Sequence, residues 1–201
     1  MKRLVVGVTG ASGALCARSV LREMVRHEEV GQIHVVLSGV AVRTLNAELK
    51  ASARSEAEGL RALLPELHAD PKITLHDAFA MEAPISSGSF PTDGMVVVPC
   101  SGGTLAAIAQ GISSNLLQRA GEVTLKERRP LVLALRESPL SLAHVENMRR
   151  AALAGAILYP LMPAFYTGPR SIDDIVEQFT ARIFDLLRLP HSLGARWGAV
   201  R

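Results

Sequence analysis

The chain has 201 residues, 48% of them hydrophobic and 20% charged. That length suits one domain, and burial of about 70% of the unfolded surface removes any need for disulfides or metal in folding. Twenty-two Lys and Arg against nineteen Asp and Glu leave a net charge of +3, mixed along the chain and without a basic tail, which argues against charge-driven binding to nucleic acid or a membrane.

The opening runs from two basic residues into a short apolar stretch that Gly10-Ala11-Ser12-Gly13 breaks at once. It is too short for a signal peptide or a membrane span, and a cytoplasmic protein is expected. The predicted elements then alternate. Residues 4–8 form a buried-strand run, followed by a helical pattern with apolar positions Ala14, Ala17, Leu21, Met24 and Val25. A second strand covers 33–37, and an Ala/Glu/Arg/Leu stretch over 41–67 reads as helix, broken near Gly59. Further strands are predicted at 73–76, 95–98, 131–135 and 156–159. Continuous apolar strands alternating with helices imply a parallel sheet covered on both faces, hence an α/β, three-layer, doubly wound (Rossmann-like) domain over 1–190. The segment 191–201 is an aperiodic tail, frayed or docked on a neighbouring subunit. In the last helix Ile172, Ile175, Val176, Phe179, Ile183, Leu186 and Leu187 make one stripe. At about 100° per residue Arg182 lies about 20° from Ile175, at the edge of that stripe. It is either an arginine whose stem covers a contact or a cation aimed into a pocket.

In a doubly wound sheet, ligands sit outside the carboxyl ends of the strands at the switch in strand order. Residues 8–13, V-T-G-A-S-G, follow the first strand and open a helix near Ser12 or Gly13, giving an anion site suited to phosphate. A Walker loop is excluded because Ala14-Leu15 follows the last glycine. A dinucleotide is disfavoured because Leu37-Ser38-Gly39-Val40 offers no acidic residue after the second strand. The Tyr-xxx-Lys pair of short-chain reductases is also missing, so a mononucleotide fits better. Two more polar loops follow: 83–90, containing Ser87, and 99–104, where Ser101 and Thr104 suit a helix cap or a phosphate and Gly102-Gly103 stand between them. Three small-residue loops at one end of a sheet suggest a flat ligand.

Arg136 and Glu137 directly follow an apolar strand and form a candidate anion clamp with an acid or base. Lys126, Arg128 and Arg129 precede that strand; for Arg128 and Arg129 a solvated turn accounts for the charge. Phe165-Tyr166 belongs to an aromatic loop after the last strand. The histidines show no metal spacing, His144 and Glu146 read as surface positions, and no metal site is expected.

These pieces resemble the UbiX-type flavin prenyltransferases: V-T-G-A-S-G at 8–13, Ser38, A-P-I-S-S-G-S-F at 83–90, V-V-P-C-S-G-G-T-L-A-A-I-A at 97–109, N-L-L-Q-R-A at 115–120, V-T-L-K-E-R-R-P-L-V-L at 123–133, R-E-S-P-L at 136–140 and P-A-F-Y at 163–166. The resemblance spans residues 2–190. It implies a metal-independent enzyme of the flavoprotein fold that joins a dimethylallyl group from dimethylallyl phosphate to N5 and C6 of reduced FMN. Phosphate leaves, and prenylated FMN passes to a UbiD-type decarboxylase. By the same resemblance Gly10, Ala11, Ser12, Ser38, Ser87, Ser101, Gly102, Gly103, Thr104 and Arg136 hold FMN. Lys126, Arg136, Tyr166 and Arg182 hold the donor phosphate, Glu137 handles protons, and Ser12 stands with the catalytic set. It also implies large homo-oligomers, often dodecameric, with sites at subunit junctions. Where the family carries a larger pair, Gly102-Gly103 is expected to widen the loop, and Trp197 is a candidate cap. Two other readings are an FMN carrier or accessory subunit and a cysteine-oxidising flavoprotein decarboxylase. The latter needs a histidine early in the first helix, where this chain offers only His27 at the far end.

Overall fold

Continuous runs of Val, Ile and Leu become strands shielded on both sides, as a parallel sheet requires. The computed structural model describes residues 1–196 and residue 198. Its sheet contains β1 (Lys2–Val8), β2 (Val30–Leu37), β3 (Ile73–His76), β4 (Gly94–Cys100), β5 (Leu131–Leu135) and β6 (Ile157–Leu158). All pairs are parallel, in the order β3-β2-β1-β4-β5-β6. Every residue of β4 and β5 is buried.

Two apolar layers seal the sheet. On one face α1 (Ala14–Arg26), α2 (Gly39–Leu49), α3 (Glu56–Leu63) and α7 (Ile172–Leu186) pack around Leu4, Val6, Leu21, Met24, Leu37, Val96 and Phe184. On the other, α4 (Gly102–Gln110), α5 (Leu116–Lys126) and α6 (Leu142–Leu153) cover Val5, Met95, Val97, Leu131 and Leu133. The three-layer doubly wound architecture is the expected one.

The stretch 41–67 departs from expectation. It is two helices, and the break falls at 50–55, before Gly59. Lys50 ends α2 in the left-handed region with φ of 52°. Asn46 then grips the turn, exchanging hydrogen bonds with Ala53 N–H and C=O, both at 2.8 Å. Gly59 lies inside α3, where a Cβ would come 3.1 Å from Leu37 Cδ2; its smallness brings the helix close to the sheet. Residues 191–196 run along α7, with His191 Nε2 3.0 Å from Asp185 Oδ1 and Gly194 N–H on Glu177 Oε1 at 2.9 Å. Trp197 lies outside the described residues.

Candidate active site

Strand order reverses between β1 and β4, so α1 and α4 leave neighbouring strands for opposite faces and a cleft opens between their starts. Polar groups stitch its rim. The Thr9 hydroxyl donates to the Pro99 carbonyl at 2.7 Å and accepts the Ser101 N–H at 2.9 Å. Ser38 N–H reaches the Val8 carbonyl at 2.9 Å, Thr44 Oγ1 the Gly10 carbonyl at 3.0 Å, and Arg136 N–H the Cys100 carbonyl at 3.0 Å. The ends of β1, β2, β4 and β5 thus form one continuous edge. Gly10 lies flat on α2, since a Cβ there would meet Val40 Cγ1 at 2.4 Å.

At the start of α1 the amides expected to face a phosphate are engaged by a carboxylate. The helix begins at Ala14, and its N-cap is Gly13, at a φ of 139° and without a side-chain cap. An anion does sit there, but it is the chain's own. Glu48 accepts Gly13 N–H at 3.2 and 3.1 Å and Ala14 N–H at 2.7 Å, and the Ser12 hydroxyl also donates to it. Desolvation pulls this carboxyl upward. The bonds from Ser12, Ala14 and Gly13 and the charge of Arg136 outweigh it, so its pKa lies below the usual carboxylate range. Ser12, Glu48 and Arg136 therefore share one corner of the cleft.

The opposite corner is the start of α4. Ser101 Oγ accepts Thr104 N–H at 3.3 Å and donates to Thr104 Oγ1 at 3.1 Å. Gly103 faces open space, while a Cβ on Gly102 would lie 2.9 Å from Glu137 Oε2 and 2.8 Å from His144 Nε2. The room left by Gly102 is filled by a Glu–His pair, so at this residue the loop is not widened as expected. His144 is likewise not the surface residue expected: it is half-buried and faces Glu137 at 3.9 Å.

The remaining candidates lie on the 86–89 loop and in the cavity beside α7. Lys126 pairs with Glu127 at 2.8 Å, against Gly88 of the 86–89 loop. In that loop the Ser87 and Ser89 hydroxyls bond at 2.9 Å. Arg129 is no solvated turn residue: it donates to the carbonyls of Gly88 at 2.8 Å and Phe90 at 2.9 Å and clamps the loop. Arg128 is exposed, as expected. Tyr166 and Arg182 line a cavity of 420 Å³ with Gln178, Asp185 and Arg196, and Arg182 pairs with Asp185 at 2.6 Å.

Glu48 and His144 are the site residues that sequence reasoning missed. Glu48 reaches the cleft from the last turn of α2 and carries no local signal. His144 had one: Ser141 three residues before it, the spacing of a capping box. Among the described residues no cluster of three His, Cys, Asp or Glu could hold a metal ion, and no helix is long and apolar enough to cross a membrane. The rim suits a flat, phosphate-bearing ring: it offers the Ser38, Ser101 and Thr104 hydroxyls, Arg136 and two helix starts beside an open floor at Gly103.

A mononucleotide cleft at the switch point of a doubly wound parallel sheet defines a flavoprotein-type domain. The protein-family model described as Flavoprotein matches residues 1–184. The flavin prenyltransferase UbiX of Escherichia coli (strain K12) is 44% identical over 199 residues, covering 98% of both chains. Two solved structures are similar over nearly the whole length. A crystal structure of AnUbiX (PadA1) in complex with FMN and dimethylallyl pyrophosphate has a TM-score of 0.85 at 42% identity, covering 100% of this chain and 99% of that one. A dodecameric FMN-dependent UbiX-like decarboxylase from E. coli O157:H7 has a TM-score of 0.86 at 42% identity, covering 98% and 100%. The chain belongs to the flavin prenyltransferase UbiX family.

Proposed function

We propose that this chain is a metal-independent prenyltransferase. It joins the dimethylallyl group of dimethylallyl phosphate to N5 and C6 of reduced FMN and releases phosphate. The observation that carries this reading is the near-full-length likeness to flavin prenyltransferases, combined with a polar cleft at the switch point of the sheet.

Reduced FMN is a substrate here and supplies the nucleophilic N5 and C6. Its phosphate and ring are held by the rim residues Gly10, Ala11, Ser12, Ser38, Ser101, Gly102, Gly103, Thr104 and Arg136, with Ser87 contributed from the 86–89 loop. The allylic C–O bond breaks only if the departing oxygens find positive charge. Lys126, Arg136 and Arg182 provide it, and the Tyr166 hydroxyl adds a hydrogen bond. The N5 proton leaves with the departing phosphate as the N5–C bond forms. Ring closure then moves a proton from C6 to the prenyl double bond, with Glu137 taking it from C6 and returning it to the alkene carbon, while the Ser12–Glu48 pair holds the corner at the start of α1. Lys126 does not line the cavity of Tyr166 and Arg182, and copies of a large homo-oligomer bring the donor-site groups together. Exposed Phe79, Leu142, Leu153 and Phe165 supply apolar surface for that assembly. The product, prenylated FMN, is delivered to a UbiD-type decarboxylase.

The test is anaerobic incubation of the purified chain with reduced FMN and dimethylallyl phosphate. Phosphate release together with a flavin heavier by one prenyl unit is expected. Bound but unaltered flavin makes the chain a carrier and refutes the assignment.

A further inference from the structure

Helix α6 begins with a capping box whose second member is a histidine. Ser141 Oγ accepts the His144 backbone N–H at 3.3 Å, and the Ser141 backbone N–H donates to His144 Nδ1 at 3.1 Å. A ring nitrogen that accepts a backbone N–H carries no proton, so in the neutral imidazole the proton sits on Nε2. That nitrogen faces Glu137 Oε2 at 3.9 Å, an electrostatic contact longer than a hydrogen bond. The other carboxylate oxygen, Oε1, accepts Ser138 N–H at 3.2 Å. Backbone closes the third side. A Cβ at Gly102 would intrude on Oε2 at 2.9 Å and on Nε2 at 2.8 Å, so the pair keeps its place only because residue 102 has no side chain.

We propose that His144 is the positioning residue of Glu137. The cap fixes the ring, the ring turns its N–H toward Oε2, and Ser138 holds Oε1. The carboxylate at the cleft is thereby set in one orientation before substrate arrives. A base is effective only within hydrogen-bond reach of the proton it takes, so holding the carboxylate raises turnover without strengthening donor binding. The inference rests on the assignment of Glu137 as the group that takes the C6 proton.

The competing explanation is that His144 only caps α6. Capping boxes are normally completed by Gln or Glu at this position, so His144→Gln and His144→Glu both preserve the cap. They differ at Glu137. Gln turns an amide N–H toward the carboxylate while its carbonyl serves Ser141, whereas Glu sets like charge against like. His144→Gln is expected to keep kcat within about threefold of the unsubstituted chain, and His144→Glu to lose about tenfold or more. KM for dimethylallyl phosphate and Tm are expected to stay unchanged in both. Equal turnover by the two variants overturns the proposal, because a cap alone predicts that result. An activity-independent readout is the nitrogen NMR spectrum of His144 in the unsubstituted chain at a pH where the ring is neutral. A proton on Nε2 supports the arrangement, and a proton on Nδ1 overturns it. If the unsubstituted chain transfers no prenyl group, it is the proposed function that has failed, and the spectrum then decides the Glu137–His144 arrangement by itself.

Discussion

His34 carries an imidazole into the sheet and leaves one of its nitrogens unsatisfied. Nδ1 bonds His76 Nε2 at 2.9 Å, while the buried Nε2 has no partner among the described residues. Burial first, then the neighbouring His76 and Arg3, lower its pKa from 6.5 to about 4. The unfolded chain therefore takes a proton between these two values that the folded chain refuses, so stability falls as pH drops from 6.5 to about 4. Unfolding in urea at several pH values checks this: His34→Gln should flatten the dependence in that window, and an unchanged slope would contradict it. The thiols follow the same logic. Burial, aided by the charge of Glu48, pushes Cys16 up to about 11, and burial pushes Cys100 up to about 12. Neither is expected to react with a disulfide reagent at about pH 8 until denaturant is added. Early labelling of the folded chain would show that these sites open.

Elements meet closely where glycine allows it. Gly7, next to the last residue of β1, faces Leu117 of α5, and a Cβ would lie 2.9 Å from Leu117 Cγ. Gly7→Ala should cost about 1–3 kcal/mol by overpacking. Gly39→Ala, at the open first turn of α2, should be neutral or slightly stabilising. The two urea midpoints test this directly. The same closeness explains what the sequence disclosed. Strands were legible because buried parallel strands are continuous apolar runs, and loops 8–13, 83–90 and 99–104 because small residues cluster there. The break between α2 and α3 was not, because Lys50 and Asn46 make it without Gly or Pro, while Gly59 proved to be a packing residue. Glu48 stayed hidden because its partners are backbone amides 34 and 35 positions away, a relation no local pattern encodes.

At the scale of the whole molecule, Lys126 stays outside the cavity that Tyr166 and Arg182 share on one chain. If copies complete each other's sites, Lys126→Ala and Arg182→Ala should each abolish turnover, and chains carrying one substitution each, unfolded together and reassembled, should recover part of it. Native mass spectrometry should show a large homo-oligomer before and after mixing. Failure to recover would place all the ligands of a site in a single chain. Arg136 after its strand and Arg182 at the edge of the α7 stripe were legible as candidate cations from position alone, whereas Lys126 and Tyr166 were assigned to the phosphate only through the family resemblance.

The reversal of strand order between β1 and β4 has a consequence for tolerance to change. Because the two helices depart in opposite directions, the hollow between them is a product of chain direction, and no side chain is needed to prop it apart. Substitutions along its walls can therefore alter which molecule is retained while the hollow itself persists. To close it, the course of the backbone would have to be rerouted.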